Sequence, residues 1–147
     1  GSEMCIRDRL YDEHGVRRYY VGGALGVDMW AGELILRLKE QPGYGDIELV
    51  VVLPFEGHDS KWDERSKRRM DFLLRMCSDC VVIGKEDCRE NYIKRNCYMV
   101  DHADYLVAVY DNERNLRSGT MQTVRYAQNK GITISFVNPD TATVTTN

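Results

Sequence analysis

Apolar positions along this chain follow two rhythms, and the rhythms alternate. IELVVVLP, from Ile47 to Pro54, is almost unbroken aliphatic, as expected of a strand covered on both faces of a parallel sheet. VDMWAGELILRLKE instead spaces Met29, Trp30, Leu34, Leu36 and Leu38 among charges, which predicts a helix. The same switch recurs to the end of the chain. GVRRYYVGG (Gly15–Gly23) predicts a helix stop and a short buried strand. DSKWDERSKRRMDFLLRMCSD predicts a helix with Asp59 or Ser60 as its N-cap, and CVVIG the strand after it. ENYIKRNCYMVDHAD predicts a helix and YLVAVYD (Tyr105–Asp111) a strand. GTMQTVRYAQNKG predicts a last long helix closed by Gly131, and ITISFVN a final strand. This order predicts an α/β, Rossmann-like three-layer sandwich, a mostly parallel sheet of about five strands with helices on both faces.

Composition narrows the picture only a little. At 147 residues the chain is long enough for one domain with a sizeable core, and 43% hydrophobic with 29% charged residues is ordinary for a globular protein. A net charge of −3 argues against general nucleic-acid affinity, so nucleic acid is not an expected partner. No apolar run approaches the roughly 20 residues that span a bilayer, and no secretory signal is visible, so the expected compartment is the cytoplasm, without membrane contact. Residues 1–10 read as a tag- or adapter-like, non-native segment: GS resembles a cloning scar and SEMCIRDR a translated sequencing adapter of the kind found at metagenomic contig ends. Residues 11–138 then form the domain and 139–147 a polar tail. Five cysteines, an odd number, suggest reduced thiols. Cys77 and Cys80 form CSDC, but without a second such pair they read as small core residues, and no metal or cofactor is expected.

In parallel sheets, ligands bind beyond the carboxyl ends of the strands, so the strand-to-helix turns carry the candidate chemistry. After the first strand, Gly22, Gly23 and Gly26 allow a close backbone approach, and Asp28 opens a helix whose amides suit phosphate or ribose oxygens. After the second, Pro54 stiffens the exit, Phe55 and Trp62 are aromatics suited to stacking on a base, and Lys61 suits a phosphate. His58 and His102 read as a solvated loop residue and a helix-end residue. Arg95 offers a forked donor to a phosphate, or a surface ion pair. The fourth turn runs from Asp111 through Asn112, Arg114 and Arg117 to Ser118-Gly119-Thr120, a cradle for one phosphate, with Thr123 one turn on.

VGGALGVDMWAGE, LPFEGHDSKW, KRNCYMVDHADYLVAVYD and SGTMQTVRYAQNKGI, in this order, closely resemble the YpsA-like branch of the SLOG superfamily, from about Gly15 to Ile132. That superfamily includes the LONELY GUY phosphoribohydrolases, DprA-type DNA-processing proteins and sensors of nucleotide signals in antiviral defence. The resemblance implies a Rossmann-like nucleotide-binding fold, with Gly22–Gly26 as first ligand loop, Arg95 at the place of a nucleotide-holding arginine, and Ser118-Gly119-Thr120 at the phosphate turn. It also implies a homo-oligomer, a dimer or larger. Two departures stand out. The hydrolases carry a glutamate three residues after their Gly-Thr, where this chain has Thr123, which cannot act as a carboxylate base. The strand-helix unit with a Thr-Gly-His-Arg-Pro type motif, with which YpsA-like proteins usually start, has no counterpart before Gly15.

The function expected from these residues is non-catalytic binding, by sensing or sequestration, of a nucleotide or ADP-ribose-like signal, for instance by a phage-encoded sponge that counters host defence. The alternatives are a nucleoside monophosphate phosphoribohydrolase (an N-glycosidase) using Asp28 or Asp111, and a protein-interaction module without a small ligand.

Overall fold

A computed structural model of the protein describes residues 9–110, 116, 118–138 and 143–146. Helix α1 (residues 9–14) leads into β1 (Arg18–Val21), α2 (Val27–Glu40), β2 (Glu48–Phe55), α3 (Glu64–Met76) and β3 (Asp79–Gly84). Then follow α4 (Arg89–Asp101), β4 (Tyr105–Val109), α5 (Ser118–Asn129), β5 (Thr133–Asn138) and β6 (Thr143–Thr146). The predicted alternation therefore holds through β5, and the segment read as a polar tail contributes β6, antiparallel to β5.

The strands build two three-stranded sheets, ordered β1-β2-β3 and β4-β5-β6, rather than the one sheet of about five strands expected. The first is wholly parallel, with Tyr20 opposite Val50 and Val50 opposite Asp79. In the second, β4 and β5 run parallel, and β6 closes the edge. The reason for the split lies in the crossover through α4. That helix packs on β2 and β3 and then on α5, and β4 starts a new ladder with β5 instead of joining an edge of the first sheet. Alternation in sequence records which element follows which, not which strands become neighbours.

β2 is the middle strand of the first sheet and is buried from Leu49 to Phe55, as its aliphatic run requires. Leu49, Val51 and Leu53 join Met29 and Ile35 of α2 and Met70 and Leu73 of α3 in one core. Gly32 lets α3 come close, since a Cβ there would lie 3.3 Å from the Leu73 methyls. Arg69 of α3 forms an ion pair with Glu33 of α2 across the same seam. A second core joins Val100 of α4, Ala108 of β4, Val124 and Ala127 of α5 and Ile134 of β5. β3 is an outer edge of its sheet, and Cys80 and Val82 on it are exposed. Cys80 is thus no core residue, whereas Cys77 packs partly buried against the first core.

α3 starts later than expected. Its N-cap is Asp63, whose Oδ1 accepts from the Ser66 amide at 2.9 Å, and Asp59 and Ser60 lie in the turn before it. Replacing Asp63 by Ala should cost about 1 kcal/mol in denaturant unfolding, while Ser60→Ala should leave stability within about 0.5 kcal/mol of the parent.

Candidate functional site

Beyond Val21 the chain leaves the sheet through Gly22, which is buried, and the reason for glycine is steric. An added Cβ would stand 2.7 Å from Asp28 Oδ2 and 2.9 Å from Arg95 Nη1. Gly23 follows with φ +69°, and a Cβ there would lie 2.6 Å from Leu53 Cδ2. Gly26, at φ +82°, delivers the chain into α2, whose first amides carry no side-chain cap. Leu25 and Val27 beside it are exposed.

Two side chains from distant elements pin this turn by its carbonyls. Arg95, on α4 and only 7% exposed, donates from Nη1 to the Gly22 carbonyl, and from Nε to Asn96 Oδ1 at 2.8 Å. His58, from the loop after β2, donates from Nε2 to the Gly23 carbonyl at 2.8 Å. The Asp28 carboxylate reaches back to the Ala24 amide at 3.4 Å. Burial raises the Asp28 carboxyl above the ordinary carboxylate range, against the opposing pull of Arg95 and of the Ala24 and Gly22 amides. Burial also lowers Arg95, opposed by the negative charge of Asp28. The cluster is thus a cation and a carboxyl group facing each other across a glycine turn, little exposed to water. Arg95 is no surface arginine, and His58 is no solvated loop residue.

The aromatics expected to stack on a base are occupied elsewhere. Phe55 is 8% exposed and meets the Tyr92 ring edge-on at 5.9 Å. Trp62 packs against the first core, with His58 edge-on at 5.1 Å. Pro54 is fully buried in β2 and faces no paired partner on β3, where the register steps from Leu53–Val82 to Phe55–Gly84. Lys61 is exposed and makes no ion pair among the described residues. An exposed ring at this end of the sheet is Tyr92, 37% exposed, with the Arg95 guanidinium 5.6 Å from its centroid. The sequence reading missed it. Its signal was spacing, because a residue three before Arg95 on a helix shares its face. Asn91 was missed too: it is buried, donates to the Glu86 carbonyl at 2.8 Å, and fills the space where Gly84 lacks a Cβ.

At the fourth turn, Ser118 and Gly119 are exposed and Thr120 half-buried at the start of α5, with open space around Gly119. The Thr123 hydroxyl donates to the Gly119 carbonyl at 3.0 Å, a bond within its own helix. No hydrogen bond or ion pair among the described residues joins this turn to the Arg95 cluster. Asp111, Asn112, Glu113, Arg114 and Arg117 lie outside the described residues. His102 closes α4 as expected, stacked on Tyr98. A groove of about 310 Å³ between Arg18, Glu48, Asp79 and His102 lies at the opposite, amino ends of β1 to β3. Among the described residues no group of His, Cys, Asp and Glu stands close enough to hold a metal ion, and no helix is long and apolar enough to cross a membrane.

The sequence profile described as the YspA SLOG family (YpsA) matches residues 4–142. Relatives include the UPF0398 proteins of Bacillus cereus strains B4264 and G9842, each 29% identical over 118 residues, which is 75% of this chain and 63% of theirs. The UPF0398 protein of Bacillus thuringiensis strain Al Hakam matches to the same extent. The chain thus spans less than two thirds of the length of these relatives.

Two outcomes follow from the pinned turn. Gly22→Ala should destabilise the fold by about 1–3 kcal/mol in urea unfolding, because the added methyl displaces Asp28 and Arg95 from the bonds by which they hold the turn. A carboxyl raised by folding makes its favourable contribution at low pH and loses it as pH rises through its folded value. The stability of the parent relative to Asp28→Asn should therefore fall as pH climbs upward from the ordinary carboxylate range, measured by urea unfolding across that window.

Proposed function

Because the chain belongs to the YpsA-like SLOG family, we propose that it binds a nucleotide or ADP-ribose-like molecule without cleaving it, as a sensor or a sequestering protein. The observation that carries this reading is the turn from Gly22 to Gly26. Its carbonyls are held back by Arg95 and His58, and the first amides of α2 are left without a side-chain cap. Unpaired amides at a helix start suit a phosphate, and glycines let it come close. Arg95 and Asp28 position that turn. Ser118-Gly119-Thr120, at the start of α5, supplies donors to a second phosphate or a ribose. Tyr92 offers the ring face on which a base stacks, the part first given to Phe55 and Trp62.

Lack of cleavage is supported at Thr123, whose hydroxyl is committed to the Gly119 carbonyl where the hydrolases of the superfamily have a glutamate. One observation favours the second reading, an N-glycosidase. The raised Asp28 carboxyl is the kind of group that general acid–base chemistry uses. Its engagement with the Ala24 amide and its place behind the turn favour a structural role. Protection of a host-defence signal from its sensor, as a phage protein would provide, is one use of such binding.

Calorimetry with ADP-ribose and AMP tests the proposal. Tyr92→Ala should weaken binding by about tenfold with the unfolding temperature little changed, as loss of one stacking platform implies. Chromatography of the same mixtures should show no free adenine. Release of adenine that stops in Asp28→Asn would establish the hydrolase instead, and no binding to either probe would leave an interaction module.

A further inference from the structure

Natural sheets usually blunt an outer edge with lysine, proline or a bulge along the strand. β3 does not. Its exposed uncharged residues are Cys80 and Val82, the latter 46% exposed, and charge stands only at its two ends, at Asp79, its first residue, and at Lys85, just after its last. Neither Asp79 nor Lys85 makes an ion pair among the described residues, and both are exposed. By register, Cys80 and Val82 lie on the same face of the sheet as Val51 and Leu53, the face covered by α2 and α3. Towards that edge α3 is open as well. It lays Met70 and Leu73 on the core and ties Arg69 to α2, so helical geometry turns Asp71 and Leu74 to the side away from α2. A groove of about 460 Å³ runs there between Arg68, Asp71, Leu74 and Arg75.

We propose that two copies of this chain associate through their β3 edges, about a two-fold axis at Val82 that runs perpendicular to the sheet. The proposal is independent of the ligand reading above. Such an axis makes the two strands antiparallel and keeps each face of the sheet on its own side. Residues opposite one another must then share a face, which restricts the axis to a residue rather than a point between two. With Val82 on the axis it meets the partner's Val82, Cys80 meets the partner's Gly84, and Asp79 meets the partner's Lys85. The strand is thus self-complementary in charge, with the apolar pair at its centre, as an isologous interface requires. On the α3 face the two helices come side by side and antiparallel, and each brings Asp71 and Arg75, one turn apart, to the other's opposite charges. The parallel sheet β1-β2-β3 becomes half of a continuous six-stranded one, and the exposed β3 edge disappears.

Sedimentation equilibrium of the whole chain at micromolar concentrations, with reductant present to exclude a Cys80 disulfide, tests the proposal. The parent should be a dimer. Asp79→Lys, which sets lysine against lysine at both ends, should weaken association about tenfold or more, with circular dichroism unchanged. The doubly exchanged Asp79→Lys/Lys85→Asp chain should return to within about threefold of the parent, which mere loss of a local bond at Asp79 cannot explain. A monomeric parent, a dimer indifferent to Asp79→Lys, or a double variant no tighter than the single one would each overturn it.

Discussion

The hydrogen bond from the Arg95 guanidinium to the Gly22 carbonyl is the constraint around which the candidate site is arranged. It joins residues 73 apart in sequence, one on the helix that bridges the two sheets and one at the end of the first strand. A buried guanidinium is tolerated only when its donors are satisfied, and a bond from such a charged group contributes roughly 1.5–3 kcal/mol. Once Arg95 takes that place, the rest follows. Gly22 has no room for a side chain, Asp28 turns inward towards the charge, and His58 completes the restraint at the next carbonyl. Rigidity at this turn is what an amide cradle needs, because amides fixed in advance lose little entropy when a ligand arrives.

The same economy divides the molecule's polar groups into two sets. Arg95, Asp28, His58 and Asn91 hold backbone inside the fold, while Lys61, Tyr92, Ser118 and Gly119 face outward at the same end of the strands. Residues of the first kind look catalytic in a sequence, because buried charge and histidine are also what active sites use. The structure separates them by partner: the side chains of the first set are bonded to the backbone of their own chain, and those of the second show no such bond among the described residues. Thr123 belongs to the first set by the same test.

Much of the fold was legible from periodicity. β2 is buried along nearly its whole length because its run is aliphatic throughout, and α2 follows the spacing of Met29, Leu34 and Leu38. What periodicity lacks is adjacency. Nothing in the order of elements says that β4 pairs with β5 and with no other described strand, or that β3 ends as an edge, since both depend on where α4 carries the chain. The site was legible to the extent that glycines mark close approach, as Gly22 and Gly23 do. The aromatics were assigned by their position after a strand, which says nothing of how each ring packs: Phe55 is buried, Trp62 lies partly buried against the first core, and Tyr92, from the next helix, is exposed. The N-cap moved from Asp59 or Ser60 to Asp63 because Asp63 stands three residues ahead of the amide it accepts, a choice that several acceptors in one loop leave open to sequence alone.

The most direct measurement is amide hydrogen exchange at Gly22 and Ala24, the turn amides that bond to the Asp28 carboxyl, in the ligand-free parent and in Arg95→Met, a substitution that keeps the bulk and removes the donors. Both amides should lose protection in the variant while those of β2 keep theirs. Unchanged protection at Gly22 and Ala24 would contradict the central place of Arg95, since the turn would then hold its shape without it and the arginine's position would need another reason.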